Sequence, residues 1–142
     1  MSLSGAFSRV YLSLHRATAA HYALKVVPIA AAVESGQAEH LVRERQILLK
    51  VRHPFIVPLS SCWRDRANLY FLFPFLPGGE LFTFMRLADR LPASHILFYS
   101  AEIVSALEYL HSLRLAKVDL LCTMHCRDHN MSHNMSESRI GT

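Results

Sequence analysis

The sequence predicts an α+β domain: an antiparallel sheet of about four to five strands with one helix, then two further helices and an irregular tail. Hydrophobicity alternates in the first third of the chain, and later segments repeat apolar residues at helical spacing. The chain has 142 residues, of which 51% are hydrophobic and 18% charged. Such a composition favours one domain with a packed core over a disordered chain.

Four runs of sequence predict strands. Residues 7–14 and 21–27 alternate, and the polar linker between them is short enough for a hairpin. Residues 55–63 and 68–76 are strongly apolar and are joined by the polar turn at 64–67. The last run is apolar at nearly every position, which is typical of a strand covered on both faces.

Three segments predict helices. Apolar residues recur at helical spacing over 33–51, and Pro54 ends that helix. After the break at Pro77-Gly78-Gly79, a short helix is expected from Glu80 to about Leu87. The strongest helix spans 94–113 and is apolar nearly all round, a pattern that predicts burial in a larger body.

The end of the chain, residues 117–142, has little periodicity and is rich in Met, His, Asn and Ser, so we expect a disordered or loosely attached tail. Its Cys and His residues raise the alternative of a zinc site. All of them are local, however, and their spacing matches no standard finger, so we expect no metal ligands here. They are Cys122, His125, Cys126, His129 and His133.

Composition excludes several classes of function. The net charge of +4 is mild and its basic residues are scattered, so we expect no nucleic-acid partner. No apolar run approaches the length of about 20 residues needed to span a bilayer, and the first residues do not resemble a secretory signal, so no membrane association is expected. The odd count of three cysteines fits a reducing compartment, the cytoplasm or the nucleus.

Five segments of the sequence stand out by their order and spacing: YALKVV (22–27), RERQILLKVRHPFIVPL (43–59), NLYFLF (68–73), PGGELF (77–82) and FYSAEIVSALEYLHS (98–112). Together they resemble the catalytic domain of protein Ser/Thr kinases, specifically the AGC group around cAMP-dependent protein kinase. The resemblance covers residues 4–115, a partial kinase domain made of the small lobe and the first helices of the large lobe, followed by a divergent tail at 116–142.

The resemblance implies an ATP site built on Lys25 and Glu44. Lys25 follows Ala23 on a predicted strand, at the lysine of the V-A-I-K motif. In the family this lysine holds the α- and β-phosphates and pairs with a glutamate on the next helix. Without the resemblance, the same residues would read as a solvated strand lysine and an exposed helix charge.

The glycine-rich loop of the family is only partly matched. Gly5 and Val10 fit the pattern G-x-G-x-x-G-x-V, whereas Leu3 and Ser8 replace its first and third glycines. Glycines in that loop allow the backbone to approach the phosphates. The resemblance therefore implies a damaged cover for the nucleotide.

The resemblance also places a hinge at residues 73–76. Phe73 would be the gatekeeper behind the adenine, Pro74 would offer a carbonyl, and Leu76 would offer its amide N–H. Proline lacks only the N–H, so it is tolerated at the carbonyl position.

The remaining implied contacts surround the adenine and the ribose. Val10, Ala23 and Leu81 would sandwich the base, and Glu80 would bond the ribose. The alternative for these apolar residues, and for Phe73, is simple core packing. Glu80 alone would read as an acid favoured in the first turn of a helix.

The catalytic motifs of the family are missing. Active kinases need H-R-D-L-x-x-x-N, D-F-G and A-P-E, which supply the base and the magnesium ligands. Asp119 stands at the spacing of the base, but Val118 and Leu121 replace the arginine and lysine around it, and we interpret this match and that of Asp128 as chance. We therefore expect no catalytic residue, a weak or partial ATP site and no phosphotransfer by this chain alone.

Three functional readings remain open. The leading one is a truncated AGC-type kinase domain whose family phosphorylates Ser and Thr in proteins with ATP and Mg²⁺. The alternative is a non-catalytic interaction module that competes for the protein partners of the full-length kinase. A third is a chain that never folds stably and has no function of its own, because the helix at 94–113 would expose an apolar face without later helices to cover it.

Overall fold

A computed structural model describes residues 3–5, 8–79, 81–88 and 90–115. The predicted α+β class is confirmed, and within these ranges strands and helices follow one another in a single series. The elements are β1 (Leu3–Gly5), β2 (Ser8–Leu14), β3 (His21–Pro28), α1 (Ile29–Glu34), α2 (Ala38–Lys50), β4 (Ser61–Arg64), β5 (Asn68–Pro74), α3 (Leu81–Leu87) and α4 (Ala93–Ser112). The predicted tail, with Asp119, Asp128 and the Cys/His cluster, lies outside the described residues.

The five strands form one antiparallel sheet in the order β1-β2-β3-β5-β4. The predicted hairpin between β2 and β3 is present, and it closes through the N–H of His15, which donates to the Ala20 carbonyl at 2.8 Å. β5 occupies an interior position between β3 and β4. Phe71 is buried and the other residues of the strand are half-buried, so the predicted cover on both faces is only partial.

The turn between β4 and β5 is held by the carboxylate of Asp65. Its Oδ1 accepts the backbone N–H groups of Asn68 at 2.6 Å and Ala67 at 2.7 Å, and its Oδ2 accepts the Tyr70 hydroxyl at 2.8 Å. The bond from the Asn68 N–H, followed by those from Tyr70 and Ala67, lowers the pKa of Asp65 below its ordinary 3.8. The same contact with Asp65 raises the pKa of Tyr70 above its ordinary 10.0.

The lowered pKa of Asp65 predicts that the folded state loses stability at acid pH. Because the carboxylate is favoured in the folded state, its contribution is present above about pH 4 and is lost as the pH falls through the folded pKa. We expect the melting temperature to fall less steeply between about pH 6 and pH 2 for Asp65→Asn than for the unmodified chain. Asparagine keeps the Oδ1 acceptor but does not titrate. Parallel curves for the two proteins would show that this turn does not contribute to acid sensitivity.

The segment 33–51, predicted as one helix, is divided between two helices in the structure. α1 ends at Glu34 and α2 begins at Ala38. Between them Gly36 has a φ of +69°, a left-handed conformation that a helix cannot continue through. The N–H of Gln37 donates to the Ala32 carbonyl at 2.8 Å and closes the end of α1.

The strand predicted over 55–63 is also corrected, because only Ser61–Arg64 is strand. Pro54 and Pro58 lack backbone N–H groups, so the stretch between them cannot form a continuous ladder. Its apolar residues are instead buried as a loop: Ile56 is 4% exposed and Leu59 is 7% exposed. The apolar pattern therefore indicated burial rather than a strand.

Two apolar clusters form the core. The first joins the sheet to α2 through the buried residues Val27, Leu48, Leu59 and Phe71. The second joins the loop after α2 to α4 through Val51, Ile56, Ala106 and Leu110. The loop thus contributes to both clusters and connects the sheet to α4.

The loop after α2 is also hydrogen-bonded to α4. The Arg52 N–H donates to the Tyr109 hydroxyl at 2.9 Å, and the His53 ring stacks on the Tyr109 ring with centroids 5.0 Å apart. These contacts fix one face of α4 against the loop. Among the described residues no helix is long and apolar enough to cross a membrane.

The opposite face of α4 is apolar and exposed, as its sequence pattern indicated. Leu97 is 72% exposed and Val104 is 62% exposed. Three further large apolar side chains of the helix are exposed: Ile96, Phe98 and Leu107. An apolar surface of this kind is typical of a face that another structural element or a partner covers.

Candidate nucleotide-binding site

Lys25 and Glu44 meet on one side of the sheet. Lys25 lies on β3 and Glu44 on α2, and the lysine Nζ donates to Glu44 Oε1 at 2.7 Å. Their side chains are 27% and 32% exposed. The ion pair is therefore only partly buried and can be reached from solvent. It holds the Lys25 ammonium group on one face of the sheet.

The strand register determines what surrounds Lys25. Residues directly opposite one another on antiparallel strands share a face, and on β3 Ala23 shares that face with Lys25. Val10 of β2 and Phe71 of β5 are the partners of Lys25, and Phe73 is the partner of Ala23. Two predicted base contacts, Val10 and Ala23, and the predicted gatekeeper Phe73 thus lie on the same face as Lys25, the predicted phosphate-binding residue.

The side chains that flank the ion pair on this face are apolar. Val10, Ala23 and Phe73 are all half-buried, and Phe73 also packs against the first core cluster. Apolar side chains around a single aimed cation are the arrangement that a planar base with a charged phosphate tail would need.

The predicted hinge follows the end of β5. Pro74 is the last residue of that strand and is paired with Tyr22, and the next N–H, that of Phe75, donates to the His21 carbonyl at 3.2 Å. Leu76 and Leu81 are half-buried and lie on the connection that leads into α3. In the described part of the chain no strand pairing ties those two residues to the Lys25 face.

Two predicted residues lie at the margins of what is described. Gly5 ends β1 and pairs with Ser8 across the tip of the first hairpin, where the family has its glycine-rich loop. Glu80 lies outside the described residues. For the residues that are described, no group of three or more His, Cys, Asp or Glu side chains is arranged to hold a metal ion.

Phe71 was not predicted as part of this site. It is 0% exposed, and the Lys25 Nζ lies over its ring, 5.7 Å from the centroid. The signal was present in the pairing of the strands rather than in any motif, because only the register places Phe71 opposite Lys25. Sequence patterns fix such a register poorly when a strand is apolar at every position.

A small antiparallel sheet whose third strand presents a lysine to a glutamate on a following helix is the arrangement expected for the small lobe of a protein kinase domain. Residues 4–121 match the family profile described as "Protein kinase domain". The chain therefore belongs to the protein kinase family.

Similar curated proteins narrow the resemblance within the family. The "cAMP-dependent protein kinase, catalytic subunit-like" of Caenorhabditis elegans is 43% identical over 116 residues, 82% of this chain and 29% of that protein. The "cAMP-dependent protein kinase catalytic subunit 3" of Drosophila melanogaster is 43% identical over 117 residues, 20% of its length. The human "cAMP-dependent protein kinase catalytic subunit PRKX" is 40% identical over 117 residues, 33% of its length.

These relatives confirm the resemblance to the AGC group over the part of the chain that they match. They also show its extent, since the chain spans only a fifth to a third of the length of these three relatives. What the whole relatives catalyse is therefore a property of much longer chains.

Proposed function

We propose that this chain is a partial AGC-type kinase domain that binds ATP weakly through Lys25 and does not transfer phosphate on its own. The Lys25–Glu44 ion pair of 2.7 Å carries the proposal. A lysine has a long flexible stem, so a carboxylate that holds its ammonium in place reduces the conformational freedom that nucleotide binding would have to remove.

The adenine would lie on the apolar face beside that cation. Val10 and Ala23 lie on neighbouring strands of this face, and Phe73 extends it toward the end of β5. The carbonyl of Pro74 and the N–H of Leu76 are the backbone groups proposed to read the base edge. Glu80 and Leu81 are proposed to complete the ribose and base contacts, and Gly5 to lie near the phosphates.

The described residues fit ATP better than they fit Mg²⁺. The ammonium of Lys25 is partly exposed and matches a phosphate oxygen in charge and hydrogen bonding. A magnesium ion needs oxygen ligands in octahedral geometry, and the described residues offer no cluster of carboxylates for it. Mg²⁺ would then be held by the nucleotide's phosphates and water alone, and no step is assigned to it.

Inactivity follows from the same chemistry. Phosphoryl transfer depends on positioning and on neutralising charge at the β- and γ-phosphates. The sequence lacks D-F-G and the asparagine of the catalytic loop, so nothing replaces those groups. Phosphorylation of Ser and Thr in proteins is accordingly proposed for longer kinases that share this lobe, and the cytoplasm is the proposed location because the three cysteines suit a reducing compartment.

Nucleotide binding is tested by thermal unfolding of the whole chain with and without ATP and Mg²⁺. At an ATP concentration about ten times the dissociation constant, binding adds about 1.4 kcal/mol to the free energy of unfolding. The melting temperature should then rise by about 3 °C or more. Lys25→Met should remove the shift, whereas Lys50→Met, at the exposed end of α2, should keep it.

Three results would contradict the proposal. An unchanged melting temperature of the unmodified chain at millimolar ATP would exclude the nucleotide site. Phosphate transfer to an arginine-rich peptide that disappears in Asp119→Asn would show that the chain is an active kinase. Retention of the shift in Lys25→Met would move the site away from the ion pair.

A second candidate function is a non-catalytic interaction module that competes for protein partners of the full-length kinase. The exposed apolar face of α4, with Leu97 and Val104 at its most exposed positions, favours it. A partner bound through this face should be recovered from cell extract by the unmodified chain and lost with Leu107→Asp. Equal recovery by both proteins would exclude the face.

A further inference from the structure

The Phe71 ring lies beneath the ammonium of Lys25. Lys25 and Phe71 are opposite one another on β3 and β5, and the Nζ is 5.7 Å from the ring centroid. Phe71 is 0% exposed and is packed by the first core cluster, so its ring cannot turn away. The lysine thus has a carboxylate on one side and a fixed aromatic face on another.

An aromatic face attracts a cation because the ring's quadrupole is negative above its plane. Glu44 contacts the Nζ through one carboxylate oxygen, Oε1. A ring beneath the ammonium adds a second attraction and favours the rotamers that keep the Nζ over it. A leucine or methionine would fill the same volume without this attraction.

We propose that Phe71 is a positioning residue, and that its ring face, together with Glu44, holds the Lys25 ammonium over the nucleotide face of the sheet. The consequence for ATP rests on the proposed function, whereas the attraction between ring and ammonium does not. Phe71 itself is too deeply buried to touch a nucleotide, so it acts through Lys25.

Core packing is the competing explanation for Phe71. The two explanations differ in the property of the ring that matters. A packing role depends on the volume and shape of the ring. A positioning role depends on the negative charge of its face, which fluorination withdraws with little change in shape. The two roles are therefore separable by replacing Phe71 with mono-, tri- and pentafluorophenylalanine in the full chain.

The experiment measures unfolding equilibria of this series without nucleotide, in the Lys25 chain and in the Lys25→Met chain. We expect full fluorination to weaken folding about two- to five-fold more when Lys25 is present, with the effect growing along the series. The same series at Phe55, half-buried beside the second cluster, should show no dependence on Lys25. Equal effects of fluorination with and without Lys25 would overturn the proposal.

ATP affinity is then measured on the same proteins. We expect the dissociation constant to rise about two- to five-fold with pentafluorophenylalanine at position 71 and not at position 55. If no protein of the series binds ATP while the dependence on Lys25 persists, the proposed function fails and the positioning contact stands. If ATP binds equally in all of them and the dependence on Lys25 is absent, Phe71 serves packing alone.

Discussion

Phe71→Ala is expected to remove a large part of the stability of the fold. Phe71 is 0% exposed at the centre of the first core cluster, where it packs with Val27, Leu48 and Leu59. Truncating a buried phenylalanine to alanine costs about 3–5 kcal/mol, because transfer free energy is lost and a cavity remains. Small domains have only about 5–15 kcal/mol in total, so this substitution removes much of it.

The measurement is urea unfolding followed by circular dichroism, with Phe75→Ala as the matched control. Phe75 follows β5 and is 41% exposed, so its truncation should cost less than about 1 kcal/mol. Phe71→Leu should lie between the two, since it keeps most of the buried volume. Equal midpoints for Phe71→Ala and Phe75→Ala would mean that the first cluster does not stabilise the fold.

Site residues that lie in recognisable sequence segments could be predicted. The site residue whose place depends on how the strands pair was missed. Lys25 and Glu44 occur in recognisable segments, and the structure brings them together at 2.7 Å. Phe71 lies in a run that is apolar at nearly every position, so no alternation marks which side chains face the lysine. Its place opposite Lys25 follows only from the pairing of β3 with β5.

The fold was predictable in its elements and less so in their boundaries. β2, β3, β5 and α4 form close to where periodicity placed them. The division between α1 and α2 was missed because Gly36 interrupts a pattern that remains apolar on both sides. The apolar run at 55–63 predicts a strand, but residues 55–60 are a buried loop, because Pro54 and Pro58 prevent a continuous ladder.

Leu110→Ala is expected to detach α4 from the rest of the fold. Leu110 is 6% exposed and packs with Val51, Ile56 and Ala106, the cluster that joins the helix to the loop after α2. Its truncation should cost about 2–5 kcal/mol. The opposite face of the helix is solvent-exposed, so little other apolar contact compensates for the loss.

The matched control is Leu107→Ala on the same helix, where the side chain is 46% exposed. Both substitutions remove the same atoms and have the same effect on helix propensity, so only burial differs between them. Amide hydrogen exchange of the native chain should show α4 opening much more often in Leu110→Ala than in Leu107→Ala.

Hydrogen exchange also shows whether the two clusters unfold together. The loop after α2 contributes Leu59 to the first cluster and Ile56 to the second, and its Arg52 N–H is bound by Tyr109 of α4. If that loop couples them, Leu110→Ala should speed exchange in β5 as well as in α4, and it should weaken any ATP-induced stabilisation through Lys25. Faster exchange confined to α4 would instead show that the sheet and its ion pair are stable without the helix, and that the nucleotide face does not depend on the second cluster.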